Sequence, residues 1–500
     1  MTGAVPALAD RIAQVVRLDP GAPAIEFDGR WSTWGALAGL GDAVGALVGE
    51  PGAQVGIVLR NHPAHVAALL GVLQAGGCVV TINPHRGQAR TQADIAALGL
   101  DVIVGTAEDL RDLVVPPGVR TQIAIESLGA PPVITVDPAR PATPSPRPGV
   151  AVRMLTSGTT GPPKRVELTY DTMASVLLGA KHYERDKGTE VRLRSGVVIV
   201  NSPLVHLGGL FRILQCVGDG RAFCLLDRFT VEGWADAVRR HRPKTASLVP
   251  AALRMVLEAD LDRSDLSSLR SVISGTAPLS PDDADAFFER YGIPVLVNYA
   301  ATEFGGGVAG WNLTDHEQHW TAKRGSVGRG HTGTELRVVD EDDGSVLGTD
   351  EVGLLEVKAA QLGGREWVRT TDLASIDGDG FLWIRGRADQ AIIRGGFKVL
   401  PEDVKGALER HPDVRGAVVI GRADARLGSV PVAAVELRAG ASTTEPELLE
   451  HAGTLLAPYE VPVEVRIVEA LPRTDSGKVD LVAARDLFPT TAPASTAATS

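Results

Sequence analysis

Short apolar runs alternate with helix-patterned segments along most of this chain, and that alternation restricts its fold more than any other feature. Gln54 to Leu59, Cys78 to Ile82, Val197 to Asn201 and Ser271 to Ser274 are strand-like, each separated from the next by helix-like sequence. Such alternation predicts an α/β fold with largely parallel sheets. Five hundred residues exceed what one hydrophobic core organises, so at least two domains are expected. The most apolar stretch, Ala64 to Ile82, is broken by His65, Gln74 and the Gly76-Gly77 pair, so it reads as a helix, a glycine turn and a buried strand and not as a membrane span.

The ends and connections read by composition. Met1 to Pro20 has Asp10 ahead of its first arginine and no long apolar core, which fits a short amphipathic helix and not a signal peptide. Residues 133 to 150 are proline-rich and read as a surface connection. Turns at Glu341 to Gly344 and Asp377 to Gly380 predict hairpins in a β-rich portion, and from Gln390 to Leu487 a compact βαβ-like pattern follows. Pro489 to Ser500 contains only Thr, Ala, Pro and Ser and is expected to be a disordered tail.

A net charge of −11, with no basic stripe interleaved with aromatics, argues against a nucleic-acid partner. Cys78, Cys216 and Cys224 lie in apolar surroundings without paired or metal-ligand spacing. Reduced buried thiols and a cytoplasmic location are therefore expected.

The densest chemistry lies at residues 154 to 166. Thr156, Ser157, Thr159 and Thr160 offer hydroxyls, Gly158 and Gly161 let backbone N–H groups converge, and Lys164 brings a charge. This is phosphate-handling chemistry, but the spacing is not that of a Walker loop.

The segment resembles the phosphate loop of the adenylate-forming superfamily, which contains acyl-CoA synthetases, luciferases and peptide-synthetase adenylation domains. Further segments resemble that superfamily in the same order: Asn298 to Glu303, Thr371-Asp372-Leu373, Gly386 to Asp389, Gly395 to Val399, and Leu471 to Asp480. The resemblance implies a large N-terminal domain of parallel and mixed sheets with helices plus a β-rich subdomain (residues 1–386), a hinge (387–390) centred on Asp389, and a small mobile α+β C-terminal domain (391–487), before the tail (488–500). It also implies acyl-CoA ligase chemistry: a carboxylic acid is joined to the α-phosphate of ATP, and the acyl-adenylate is then passed to the thiol of coenzyme A or a carrier protein.

Site roles follow from the resemblance. Lys478 would bridge the substrate carboxylate and the α-phosphate, Thr302 would bond that phosphate, and Glu303 would hold Mg²⁺. Lys164 and the Thr156, Ser157, Thr159 and Thr160 hydroxyls, with Gly158, would meet the departing pyrophosphate. Asp372 and Arg387 would take the ribose, Tyr299 would stack on the purine, Asn298 would read its amino edge, and the Gly275-Thr276-Ala277 turn would line the opposite face. Gly395 and Gly396, with Lys398 beside them, would leave room for a pantetheine arm. His206 would line or gate the acyl pocket. Gly305, Gly306 and Gly307 would leave that pocket wide, suiting a bulky polycyclic or long-chain acid. An oligomer is compatible with the sequence.

The chain also departs from the pattern. Val205 stands where an aromatic is usual, Ala300 replaces the glycine after the stacking tyrosine, Thr371 replaces the glycine of a Thr-Gly-Asp segment, and Arg165 replaces the glycine after the loop lysine. Were the backbone at 165 left-handed, a side chain would be strained there, and the guanidinium would either obstruct the β,γ-phosphates or add a favourable cation. Three functions are therefore weighed: a two-step acyl-CoA ligase, a ligase impaired in adenylation that takes a preformed acyl-adenylate, and a non-catalytic acyl-adenylate or nucleotide sensor. The Arg165 concern predicts weak pyrophosphate exchange and a gain on Arg165→Gly.

Overall fold

The computed structural model describes residues 7–115, 119–142, 145–155, 164–179, 190–474 and 478–488. Thr156 to Pro163 and the tail from Pro489 lie outside these, so the expectations for the phosphate-loop hydroxyls, Gly158 and the tail are not addressed by it. The chain divides into two compact units. The first contains the described residues up to Glu335 together with Lys358–Glu366, and the second contains Leu336–Val357 and the described residues from Trp367 onward. That division falls earlier in the chain than the boundary expected near residue 386.

The first unit is built on three sheets. The largest has seven strands, in the order Val133–Val136, Thr121–Ala124, Val102–Gly105, Gln54–Val58, Cys78–Ile82, Val150–Leu155 and Arg165–Thr169. Its middle is parallel, and only the pairings at its two edges are antiparallel. A parallel strand is covered on both faces, which is why Cys78–Ile82 is buried at every position and reads as an unbroken apolar run. The edge strand Val133–Val136 is exposed throughout, and it lies in the segment expected to be a surface connection.

The helix, glycine turn and strand expected over 64–82 are present. Pro63–Gln74 is a helix with His62 as N-cap and proline at its start; Gly76 turns at φ +72, and the strand Cys78–Ile82 follows. This helix packs so tightly on Trp34–Gly45 that a Cβ on Gly71 would collide with the Gly41 carbonyl. The Tyr170 hydroxyl lies 2.9 and 2.7 Å from the Leu73 and Gly77 carbonyl oxygens, tying the helix Tyr170–Gly179 to this turn. Ala7–Val16 is the short amphipathic helix expected at the N-terminus, with Leu8, Ile12, Val15 and Val16 buried. Among the described residues no helix is long and apolar enough to cross a membrane.

A second sheet of the first unit carries Asn298, Tyr299, Gly306 and Gly307 on its strands, with the Gly275–Ala277 turn, Thr302, Glu303 and Gly305 in the turns that leave them. It runs Thr245–Ser247, Ser271–Ser274, Val295–Ala301, Gly306–Gly310 and Arg329–Gly330, with the first three strands parallel. A third runs Arg194–Val200, Arg221–Leu225, Pro23–Phe27 and Arg30–Thr33.

The second unit has a four-stranded sheet of Thr334–Val339, Gly353–Ala359, Val368–Ile376 and Leu382–Arg387. The Asp377–Gly380 turn joins its last two strands, as its residues predict. A second sheet pairs Val414–Asp424 with Gly428–Leu437, and Glu464–Val468 joins the latter in parallel. The helices Pro401–Glu409 and Glu445–Leu455 cover it, burying Val404, Leu408, Leu448 and Ala452. The architecture is the mixed α/β one expected, with a large N-terminal portion and a small C-terminal one.

Candidate functional site

In the first unit, the parallel strands Ser271–Ser274 and Val295–Ala301 run side by side with Ser274 opposite Val297. The chain leaves the first of them through Gly275, Thr276 and Ala277. In open α/β sheets the carboxyl ends of adjacent strands form the usual ligand crevice. Gly275 sits so close to the neighbouring strand that a Cβ there would lie 2.9 Å from the Asn298 carbonyl oxygen. Thr276 has φ +71, a conformation that costs a β-branched residue about 1–2 kcal/mol. Strain of this kind persists only where the surroundings impose it.

Asn298 and Tyr299 are consecutive on Val295–Ala301, so their side chains leave opposite faces of the strand. Tyr299 is half-buried with its ring 6.2 Å from that of Phe304. Asn298 turns its carboxamide over the glycines of the next strand: a Cβ on Gly307 would lie 2.7 Å from Oδ1, and one on Gly310 would lie 2.8 Å from Nε2 of the buried His331. Asn298 Oδ1 is itself buried without a hydrogen-bond partner among the described residues. Opposed faces separate the two side chains expected to share the purine.

The strand ends in a 3-10 turn, Thr302–Phe304, that points Glu303 to solvent and buries Phe304; Gly305 closes it at φ +68 and the chain reverses into Gly306–Gly310. Thr302 and Glu303 thus sit together at the carboxyl end of the sheet. The three glycines do not leave open space. Cβ atoms on Gly305 and Gly306 would stand 2.7 Å from Thr172 Cγ2 and 2.9 Å from Val176 Cγ1, both on the helix Tyr170–Gly179, while Asn298 occupies the space at Gly307. The expectation of a wide pocket at this point is corrected: the glycines admit close packing.

His206 is the N-cap residue of the helix Leu207–Gly218, and its carbonyl accepts from the Gly209 and Leu210 N–H groups. The loop before it is held by Asn61. This residue, 6% exposed, donates to the Ser202 and Leu226 carbonyls and accepts from Leu204 N–H at 2.9 Å. Sequence reasoning missed Asn61, although a polar residue between an apolar strand and a proline-led helix start is the available signal.

Lys164 is exposed and Arg165 opens the strand Arg165–Thr169 opposite Leu155. Arg165 is not among the residues with positive φ, so the strain feared there is absent. Its side chain is 10% exposed, and its guanidinium donates to Asp94 Oδ2 at 2.6 Å and to the Thr81 carbonyl at 2.9 Å. The expectation that it would project among the phosphates is corrected: a carboxylate and a backbone carbonyl in the fold engage it.

In the second unit, Asp372 and Arg387 are direct cross-strand partners, as a pair flanking a ribose would be. Arg387 also makes a bidentate ion pair with Asp389, at 2.9 and 2.7 Å, so the expected ribose donor and the expected hinge residue are tied together. Asp389 lies in the 3-10 turn Ala388–Gln390. Gly395 and Gly396, at φ +58 and +91, form the two-residue turn between Ile392–Arg394 and Phe397–Val399, in which Arg394 faces Phe397. Both central residues need positive φ in such a turn, which is a backbone reason for the glycine pair. Lys398 is ion-paired with Glu341. Lys478 stands on the returning arm of a hairpin closed by Thr474 N–H to the Lys478 carbonyl at 2.7 Å and by Asp480 N–H to Pro472 at 2.8 Å.

The candidate cofactors can be tested against these side chains. Among the described residues, the one group of three His, Cys, Asp or Glu donors placed to share an ion is Glu26, Cys224 and His241, and Glu303 is not in it. Arg240 bonds Glu26 within that group, so a cation already engages its carboxylate. An exposed carboxylate beside a hydroxyl, outside any protein cage, fits Mg²⁺, which takes few protein ligands when phosphates are present. The three cysteines are free thiols and buried; burial pushes Cys78 and Cys216 up to about 12 and Cys224 to about 11, so none is suited to act as a nucleophile.

Comparison with known proteins gives the family and the fold. The sequence profile of the AMP-binding enzyme family matches residues 12–364, and that of the AMP-binding enzyme C-terminal domain matches residues 403–478. A feruloyl-CoA synthase from Amycolatopsis sp is 29% identical, over 93% of this chain and 95% of that protein. An indoleacetate–CoA ligase from Aromatoleum aromaticum is 27% identical, over 94% and 96%. Among solved structures, ATP-bound MatB from Rhodopseudomonas palustris superposes with a TM-score of 0.81 at 24% identity, over 96% of this chain and 99% of that one, which supports the fold. The amide bond synthetase McbA from Marinactinospora thermotolerans superposes with a TM-score of 0.79 at 27% identity, over 96% and 100%. The chain belongs to the AMP-binding enzyme family of the adenylate-forming superfamily, in its acyl-CoA ligase branch.

Proposed function

We propose that this protein is an ATP-dependent acid–thiol ligase that converts a hydrophobic, aromatic-type carboxylic acid to its CoA thioester through an acyl-adenylate. The observation that carries the reading is the convergence of the Gly275-Thr276-Ala277 turn, Tyr299, Thr302 and Glu303 at the carboxyl ends of adjacent strands. The relatives named for feruloyl-CoA and indoleacetate–CoA formation support the acid class.

In the first half-reaction a carboxylate oxygen attacks the α-phosphorus and the bond to the pyrophosphate oxygen breaks. Two anions must meet, so fixed positive charge is the main requirement. Lys478 supplies it between the carboxylate and the α-phosphate, Thr302 donates to the α-phosphate, and Lys164 meets the departing pyrophosphate. Glu303 would hold Mg²⁺, which supplies charge neutralisation to the phosphates. Asp372 accepts from the ribose hydroxyls, and the Gly275–Ala277 turn with Tyr299 encloses the base. In the second half-reaction the CoA sulfur attacks the acyl carbon, AMP leaves, and no protein nucleophile takes part. Both steps use one site, which calls for rotation at the turn around Asp389. ATP and CoA supply makes the cytoplasm the proposed location.

Two further readings are separable. The impaired-adenylation reading rests on Arg165, whose guanidinium is bonded within the fold, and on Thr371 in place of a glycine. The likeness to an amide bond synthetase favours an amine as an alternative acceptor. One experiment tests the central reading: Lys478→Ala should lower ATP-dependent adenylation of aromatic acids by roughly 10²- to 10³-fold while sparing thioester formation from supplied acyl-adenylate. Equal loss of both steps in a folded protein would refute the role of Lys478. Amide formation without thioester formation would move the protein to the other acceptor.

A further inference from the structure

Arg165 is one of the chain's departures from the superfamily pattern, and its surroundings give it a use. It opens the edge strand Arg165–Thr169 of the seven-stranded sheet, directly after Lys164. Its guanidinium passes the adjoining strand Val150–Leu155 and reaches the strand beyond, Cys78–Ile82, where it bonds the Thr81 carbonyl. The other end of the same group bonds Asp94 on the helix Gln88–Leu98, whose side chain is 19% exposed. An edge strand is held from one side only, and this contact adds a second hold spanning three strands and a helix. The neighbourhood is basic, since Arg86 and Arg153 both repel Arg165, and Asp94 is the carboxylate that offsets the crowding.

We propose that Arg165 and Asp94 form a positioning pair for the adenylation half-reaction, fixing where the backbone of Lys164 leaves the sheet. The pair does not touch substrate. It sets the origin of the lysine side chain expected on the pyrophosphate, and the inference rests on the proposed ATP-dependent function. A buried guanidinium with two acceptors has one favourable placement, whereas glycine at this position would remove both contacts from the strand end.

The consequence is opposite in sign to what the sequence suggests: Arg165→Gly should reduce adenylation. The test measures ATP–pyrophosphate exchange and thioester formation from supplied acyl-adenylate on Arg165→Gly, Arg165→Lys, Asp94→Asn and the Arg165→Gly/Asp94→Asn double variant. Displacement of a binding group by about 1 Å costs up to ~100-fold, so exchange should fall roughly 10- to 100-fold in Arg165→Gly, seen in kcat/KM for ATP. Arg165→Lys, which keeps the charge without the fork, should recover part of it. Thioester formation should stay within about twofold, which also reports that the variant is folded, and the double variant should be no worse than Arg165→Gly because the pair acts as a unit. Exchange in Arg165→Gly equal to or above that of the unmodified protein overturns the inference and leaves the proposed function standing. So does an equal fall of both half-reactions in Asp94→Asn. Absence of exchange in the unmodified protein would overturn the proposed function, and this inference with it.

Discussion

The two units hold their candidate residues by different means. In the first, the Gly275 turn, Asn298 and Gly305–Gly307 are fixed by contacts near the limit of atomic packing, and Arg165 and Asn61 by hydrogen bonds inside the fold. In the second, Arg387 and Lys398 are held by ion pairs with Asp389 and Glu341 that remain open to water, and Gly396 has no atom within 4 Å of where its Cβ would be. The candidate positions of the first unit should therefore be sensitive to volume and to buried charge, and those of the second to backbone conformation and salt. A surface that only has to bind rigidly gains from the first arrangement, and one that has to rearrange between two half-reactions gains from the second.

The sharpest contrast is expected from His65. It is buried in the helix Pro63–Gln74, its Nδ1 accepts from Arg60 N–H, and burial, with His62 adding to it, lowers its pKa from 6.5 to about 4. The unfolded chain binds the proton more readily, so the stability held by the neutral ring is complete above about pH 6.5 and is lost as pH falls towards 4. The loss should approach about 3 kcal/mol, and His65→Gln should remove that part of the pH slope in thermal melts. An unchanged slope in the variant would show that this buried group does not set the acid sensitivity of its unit.

Glycine replacements compare the units directly and should have the next largest effects. Gly305→Ala combines left-handed strain with a clash against Thr172, together about 2–4 kcal/mol. Gly396→Ala meets strain alone at φ +91 in open space, about 1–2 kcal/mol. Urea unfolding of both variants checks the order, and a larger loss at Gly396 would break the comparison.

What could be read in the sequence follows the same division between local and distant causes. The strands at 54, 78 and 271 and the helix and turn over 64–82 were legible because burial on both faces writes itself into consecutive residues, and the strand at 197 was legible by its apolar run although it is only partly buried. Gly395 and Gly396 read in the sequence as room for a pantetheine arm, whereas their positive φ in a two-residue turn gives a backbone reason for both glycines that sequence reasoning did not supply. Arg165 was misread because its carboxylate partner is 71 residues away, and no spacing rule connects them. Gly305–Gly307 were misread for a related reason: a missing side chain reads as space, but Thr172 and Val176 of another helix fill it. The cluster of Glu26 with Arg240, 214 residues apart, left no trace in the sequence at all.

The smallest expected effect is the most specific test of the second unit. Lys398 and Glu341 are 36% and 40% exposed, so their ion pair is screened by water and salt and should contribute under about 1 kcal/mol. Yet Glu341 precedes the expected hinge at Asp389 and Lys398 follows it, so the pair spans the point about which the proposed rotation occurs. A contact made in one orientation and broken in the other biases the two by no more than its own energy, which at this exposure is a few-fold in population. Lys398→Ala and Glu341→Gln should therefore shift the ratio of adenylation to thioester rates by about two- to fivefold, in the same direction. Raising salt should produce the same shift in the unmodified protein and none in either variant. The exchanged pair Lys398→Glu with Glu341→Lys should restore the original ratio. Loss of activity far beyond this range in Lys398→Ala would instead mean that the lysine touches substrate, and the distinction drawn here between a packed unit and a salt-tuned one would fail at that residue.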